Sequence, residues 1–328
     1  MRFPDGIAAQ PAVLARSAKA VRDVLPGMPR PRPGDVIALV GIGASEHAAG
    51  SAAPVWRDQG LRAFAVSASA LRTATGSAAD LYVGLSESGR SAETVAALGQ
   101  VPGGTRVGLT NVADSPLAGV VDHLLCLDSG PDSPVYTTGY TATLQALGLL
   151  GDHWSGHTQD WSELPELAAT VLADTAPLVP ELAETLAQAR IIDVVASRAS
   201  RATAGEGALL LRESARLLTA THETYNYLHG PMEPLDARTA CVIVGDGREV
   251  RLARSTSELG CPTVLITSRT DAVSSGNLTV LRLPEAPSPL ARAVLEILPL
   301  QQLGWAVASG RGLAVDGFRY YQDDTKLS

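Results

Sequence analysis

The sequence predicts an α/β protein made of two similar units, each a parallel sheet with helices on both faces. Short apolar runs alternate with segments of helical periodicity, which is the signature of βαβ units, and the scheme restarts past the middle of the chain. With 328 residues there is enough chain for two proper cores.

In order, residues 36–40 read as a strand, 45–57 as a helix and 61–66 as a strand. The run DLYVGL at 80–85 is another strand, leading into a helix that continues through Leu98. Residues 106–109 and 123–127 are further strands, and 136–153 is a long helix. The pattern turns polar over 158–165, and 164–189 reads as helix. A second series follows: strand 191–196, a strongly periodic helix at 201–218, strands at 242–244, 264–266 and 280–283, and a closing helix at 290–308. The boundary falls near residue 160, giving a first unit of 1–160, opened by an N-terminal helix, and a second of 161–328.

Composition narrows the function classes. Hydrophobic residues make up 45% and charged ones 18%, an ordinary globular balance. A net charge of −8 with no Lys/Arg block argues against nucleic acid or an anionic membrane as partner. Cys126, Cys241 and Cys261 lie in apolar, strand-like surroundings at no metal-ligand spacing, so core roles are expected and no metal site. No signal-peptide core and no run of membrane-spanning length is visible, which predicts a soluble cytoplasmic protein.

The chemistry concentrates first in Ser86-Glu87-Ser88-Gly89-Arg90-Ser91-Ala92-Glu93-Thr94, where a strand hands over to a helix. Unpaired N–H groups and the positive dipole end of a first helical turn stabilise an anion. Ser86, Ser88, Ser91 and Thr94 add hydroxyl donors, and Gly89 permits positive φ or a close backbone approach. These residues suit a phosphate cradle; they also suit a serine-rich N-cap. Gly41-Ile42-Gly43-Ala44-Ser45-Glu46 is a second glycine turn. It lacks the third glycine of the dinucleotide fingerprint, and no acidic residue clearly ends the next strand, so a ligand-facing turn with Ser45 as donor fits better than a nicotinamide site.

In the second unit Glu206 and Glu213 stand seven residues, two helical turns, apart on one face of a largely apolar helix. A carboxylate at the edge of a buried face acquires the raised pKa a general base needs; the alternative is a solvated pair matched with Arg212 or Arg216. His229, before Gly230-Pro231, sits in a loop, and an imidazole suits proton transfer at a sugar ring oxygen. His47, His123, His153, His157 and His222 form no metal constellation.

Taken in order, these motifs resemble the tandem SIS (sugar isomerase) domain proteins, in particular the isomerase half of glucosamine-6-phosphate synthase and related amino-sugar-phosphate isomerases and deaminases. The resemblance runs from Ile7-Ala-Ala-Gln10-Pro11 through Gly41–Ser45, Ser86–Thr94, Thr110-Asn111 with Ser115-Pro-Leu117, and Gly130–Thr138, to Glu206–Glu213 and His229-Gly-Pro231. It implies two SIS domains, each a flavodoxin-like three-layer sandwich, and no cofactor. It implies that Ser86, Ser88 and Ser91 hold a sugar phosphate and that Ser45, Val135 and Thr137 contact the sugar, with Glu87 where the family usually has glutamine. Glu213 matches the base that moves a proton between carbons 1 and 2, supported by Glu206. His229 matches the ring-opening histidine that reaches in from a neighbouring subunit, which implies a homodimer with shared sites.

The sequence departs from the family twice. No amidotransferase domain precedes the module, so ammonia-fed synthesis is not expected. The family's tail, D-x-P-R-x-L-x-K, brings a lysine to the site; aligned without a gap that position falls on Asp323, and Lys326 contributes only with an insertion. The expected activity is isomerisation or deamination of glucosamine 6-phosphate or N-acetylglucosamine 6-phosphate. Elimination of the carbon-3 substituent of an N-acetylated sugar, by a lyase or dehydratase, is the alternative, and a non-catalytic sugar-phosphate sensor is a further one.

Overall fold

The computed structural model describes residues 1–73, 76–315, 317–320 and 322–327. Helix α1 (Phe3–Val24) opens the chain. Strand β1 (Val36–Gly41), α2 (Ala44–Asp58), β2 (Arg62–Ser67), α3 (Ala68–Arg72), β3 (Leu81–Leu85), α4 (Ala92–Gln100), β4 (Thr105–Thr110) and β5 (His123–Cys126) follow, and α5 (Thr138–Ser155) closes the first unit. Helices α6 (Leu164–Thr175) and α7 (Val179–Gln188) lead to β6 (Ile191–Ala196), α8 (Ser200–Ala215), β7 (Thr219–Glu223) and α9 (Thr224–Tyr227). Then come β8 (Thr239–Val244), α10 (Arg248–Glu258), β9 (Thr263–Thr267), β10 (Leu278–Arg282) and α11 (Pro289–Gly310).

The two five-stranded sheets are wholly parallel and share one topology, β2-β1-β3-β4-β5 and β7-β6-β8-β9-β10. Each reverses strand order beside its first strand, and the carboxyl ends of the strands flanking that reversal open the crevice where α/β sheets bind ligands. The α/β class and doubled sheet are as predicted.

Alternation along each strand distributes the core. Ile37 and Leu39 of β1 face the middle of the molecule, as do Ile192 and Val194 of β6, and both sets join one apolar cluster with α1, α2, α5, α6, α7, α8 and α11. Ala38, Val40 and Tyr82 face outward under α3 and α4; Val195, Cys241 and Ile243 face outward under α10. The two sheets therefore enclose a common helical layer. Within it the Gln10 amide donates to Gln301 Oε1 at 2.8 Å and accepts from the Thr141 hydroxyl at 2.5 Å, so these buried polar side chains partner one another.

Two local expectations are corrected, and one helix was not anticipated. The helix at 164–189 is two, because Pro177 and Pro180 interrupt the ladder between α6 and α7. The helix at 201–218 stops at Ala215, where Arg216 takes a left-handed conformation (φ 54°), and Thr219–Glu223 form β7 instead. Helix α10 is the one not anticipated: its buried residues Glu249, Leu252, Ala253 and Thr256 follow helical spacing, but two of the four are polar, so a reading led by apolar residues passes over it. No helix among the described residues is long and apolar enough to cross a membrane.

The turn from β1 into α2 leaves no room for a side chain at Gly41, where a Cβ would lie 2.7 Å from the Ser45 carbonyl carbon. Backbone cannot yield as a side chain can, so Gly41→Ala is expected to cost about 1–3 kcal/mol, read as a lower urea midpoint at unchanged slope.

Candidate functional site

A cavity of about 370 Å³ opens at the first sheet's reversal, between the ends of β1 and β3. Ser45, Glu87, Ser91, Glu206, Glu213 and Lys326 line it. Residues far apart in sequence reach it because α8 of the second unit packs against α2 and presents Glu206 and Glu213 across the first unit's crevice.

The serine loop is built as the residue types suggest. Gly89 has φ +65°, and a Cβ there would lie 2.2 Å from the Ser115 hydroxyl, so glycine is required on both counts. Backbone bonds anchor the loop: Ser86 N–H donates to Leu109 O at 3.1 Å, Asn111 N–H to Glu87 O at 2.8 Å, and Leu117 N–H to Gly89 O at 2.9 Å. Ser91 is the N-cap of α4 and lines the cavity. Ser86 is 1% exposed; its hydroxyl donates to Ser91 Oγ at 3.1 Å and accepts from Ser91 N–H at 3.3 Å, which makes it a brace for Ser91. Ser88 sits beside the cavity, its oxygen accepting from Arg90 N–H at 3.3 Å and from the Lys326 ammonium at 3.4 Å.

Lys326 enters the site by a route the ungapped alignment misses. The short turn Asp323–Thr325 takes up the extra residues, Lys326 then pairs with Ser91 as an antiparallel bridge, and Leu327 N–H donates to Arg90 O at 2.9 Å. Burial lowers the pKa of the lysine, opposed by the charges of Glu87 and Glu93.

Three carboxyl groups at the cavity are perturbed. Burial pushes Glu213 up to about 7. Glu206 is driven well above the carboxylate range by burial and by the charge of Glu213, and its Oε2 has no partner among the described residues. Glu87 reaches about 7 through burial and then the charge of Asp132, although Asn111 Nδ2 donates to its Oε1 at 3.1 Å. Of the two readings left open for the Glu206–Glu213 pair, the geometry favours the buried one: neither forms an ion pair with Arg212 or Arg216 among the described residues, and the Arg212 guanidinium donates to Thr219 O at 3.1 Å instead.

The remaining residues lie elsewhere. The Val135 side chain packs with Phe3, Ile7 and Leu210 in the core. Thr137 is buried, donating through its N–H to Asp132 Oδ2 at 2.9 Å and through its hydroxyl to Oδ1 at 2.5 Å. Their neighbours Pro134 and Tyr136 line the cavity instead. His229 follows α9 on an exposed turn and is not among the residues lining the cavity of its own chain.

Sequence reasoning missed Asp132, Tyr136 and Glu93. Asp132 accepts from Thr137, Gly139 and Ser133 and so organises the start of α5; Tyr136 lines the cavity with Glu87, and burial and the Glu87 charge push its phenol pKa up. Both stand within the quoted Gly130–Thr138 stretch, where a carboxylate and a phenol among small residues were the available signal.

The sequence matches the SIS domain over residues 34–151 and again over 185–306. The chain belongs to the SIS domain family. The glutamine–fructose-6-phosphate aminotransferase (isomerizing) of Pyrobaculum aerophilum is 26% identical over 254 residues, covering 72% of this chain and 42% of that protein. The chain thus spans less than half the length of this relative. Among solved structures, the C-terminal domain of glucosamine-fructose-6-phosphate aminotransferase from Francisella tularensis superposes with a TM-score of 0.82 at 20% identity, covering 96% of this chain and 97% of the other. Glucosamine-6-phosphate deaminase from Thermotoga maritima gives 0.79 at 19%, covering 98% of each. Both likenesses establish the SIS fold.

Because Lys326 lowers the Glu87 pKa, Lys326→Met is expected to move the Glu87 titration further up. A ¹³C-detected NMR titration of the carboxyl group measures this; a downward shift would contradict the placement of the tail.

Proposed function

We propose that this SIS protein is a phosphosugar isomerase or deaminase acting on a hexosamine 6-phosphate. The observation that carries the reading is the convergence, on one cavity, of the serine loop, the Lys326 ammonium and Glu213 with a pKa near 7.

The phosphate is held at the first turn of α4, by the N–H groups there, by Ser91 and Ser88, and by Lys326. Phosphate binding supplies energy remote from the reacting carbons, available for positioning. Ser45, at the mouth of the β1–α2 turn, contacts the sugar. Glu213 in its ionised form removes the proton from carbon 2 of the opened sugar and returns it to carbon 1; a carboxylate of pKa near 7 is matched to that task at neutral pH. Glu206, fully buried, has the higher pKa because burial and the charge of Glu213 both raise it, so it stays protonated when Glu213 ionises and leaves Glu213 as the base.

Ring opening requires an acid/base at the ring oxygen. His229, exposed on its own chain, serves that role in a second copy, so the working form is a homodimer with shared sites. Lys326 at the cavity, in keeping with the lysine the family's tail brings to its site, favours isomerisation or deamination over elimination at carbon 3.

Glu213→Gln is expected to lower kcat by about 10²–10⁴-fold while sugar-phosphate affinity is largely kept. Since only ionised Glu213 acts as base, wild-type kcat/KM should drop as pH falls through about 7, approaching tenfold per unit below it. Ser88→Ala should weaken phosphorylated sugars about tenfold, a charge-assisted hydrogen bond lost, and leave neutral sugars unaffected in a calorimetric titration. Incubation with glucosamine 6-phosphate and N-acetylglucosamine 6-phosphate followed by mass spectrometry tests the reaction itself. A ketose at unchanged mass or loss of ammonia supports the proposal, whereas loss of water, or no change with either sugar, overturns it.

A further inference from the structure

The second sheet has its own reversal, and a cavity of about 490 Å³ lies there, at the ends of β6 and β8. It mirrors the first in construction. There, α8 of the second unit crosses the first unit's crevice; here, α2 of the first unit supplies Pro54, Val55 and Asp58 to the second unit's crevice. The turn into α2 has Gly43 at φ +59°, two residues after β1, and the turn into α8 has Arg198 at φ +55°, two residues after β6. A left-handed arginine is uncommon, and this one is held by an ion pair with Asp58 at 2.7 Å.

The chemistry differs from the first site. Where the serine loop offers a cradle, the corresponding loop Gly245-Asp246-Gly247-Arg248-Glu249 fills its own: the buried Glu249 carboxylate accepts from Gly247 N–H at 3.2 Å and from the Thr224 hydroxyl at 2.5 Å. An external anion at this cavity must therefore be held by side chains. Arg292 is already committed, to Asp246 at 2.9 Å and to Glu296 Oε1 at 2.9 Å, and the Ser200 hydroxyl donates to the same oxygen of Glu296. Two groups lining the cavity are left over. Arg248 has a buried Nη1 with no partner among the described residues, and Glu296, only 1% exposed, has Oε2 equally without one. An unmatched donor on a cation and an unmatched acceptor deep in the same cavity are each costly unless a ligand or water meets them. The Tyr225 ring, 58% exposed, lines the same cavity and offers an apolar face.

We propose that this second crevice is a binding site for a small polyhydroxylated anion, its charged group on Arg248 and a hydroxyl donating to Glu296. A carboxylate (a sugar acid) and a phosphate (a sugar phosphate) share that chemistry. The site stands apart from the first one and does not rest on the catalytic reading.

Calorimetric titration of the full chain with gluconate, glucose and glucose 6-phosphate tests it. Gluconate carries no phosphate for the serine loop. It should bind wild type and Ser88→Ala alike, at least tenfold more tightly than neutral glucose, and lose at least tenfold in Arg248→Ala. Glu296→Gln, which keeps the shape and removes the carboxylate, should also weaken it. In the Ser88→Ala background, residual glucose 6-phosphate binding that disappears on adding Arg248→Ala marks a phosphate as the preferred anion and equally supports the site. Gluconate and glucose 6-phosphate binding both indifferent to Arg248→Ala, gluconate binding lost with Ser88→Ala, or no binding of either anion to the Ser88→Ala protein at 100-fold excess would overturn it. Failure of turnover with hexosamine phosphates would leave these outcomes unchanged, so the two readings fail separately.

Discussion

Helix α8 lying across the neighbouring unit's crevice is the contact on which the rest of the molecule depends. It belongs to the second unit through its connection to β6 and β7, yet two of its side chains, Glu206 and Glu213, line a cavity of the first. Small residues make the approach possible: Gly205 sits against the His47 ring with no space for a Cβ, and Ala202 packs near Gly50. Burial of the two glutamates follows from that closeness, and their raised pKa values follow from burial.

Buried carboxyl groups without full hydrogen bonding oppose folding, so the apolar cluster shared by the two sheets must offset them. The cluster is continuous from Leu39 of the first sheet to Val194 of the second, which ties the stability of the two units together. The site is consequently held on rigid elements: a helix crossing from one side, a strand-to-helix turn from the other, and a tail bridged to Ser91. Rigid placement is what phosphate anchoring and proton transfer at a fixed carbon both need.

Much of this was legible in the residues. Strands with apolar runs, such as 36–40 and 191–196, were visible because strands buried on both faces carry little polarity. The serine loop was visible because Ser, Gly and Ser cluster where a strand ends. Strand β7 was hidden behind Leu217 and Leu218, which continue the apolar pattern of α8 past its true end at Arg216. The break between α6 and α7 was signalled by Pro177 and Pro180, and the amphipathic pattern outweighed that signal. Tyr136 and Asp132 were passed over because side-chain direction in an irregular segment has no periodicity to read.

The sequence by itself determined the α/β class, the doubling of the sheet, the serine-rich turn between a strand and a helix and the two glutamates on one helical face, since all of these are set by local pattern and spacing. Only the tertiary structure decided that Glu213, the serine loop and Lys326 meet in one cavity, that Val135 and Thr137 turn away from it, and that Glu249 fills the second unit's corresponding loop. The physical reason is distance along the chain. Contacts between residues a hundred or more positions apart depend on how whole helices pack, and packing is a property of matched surfaces that no short stretch of sequence contains.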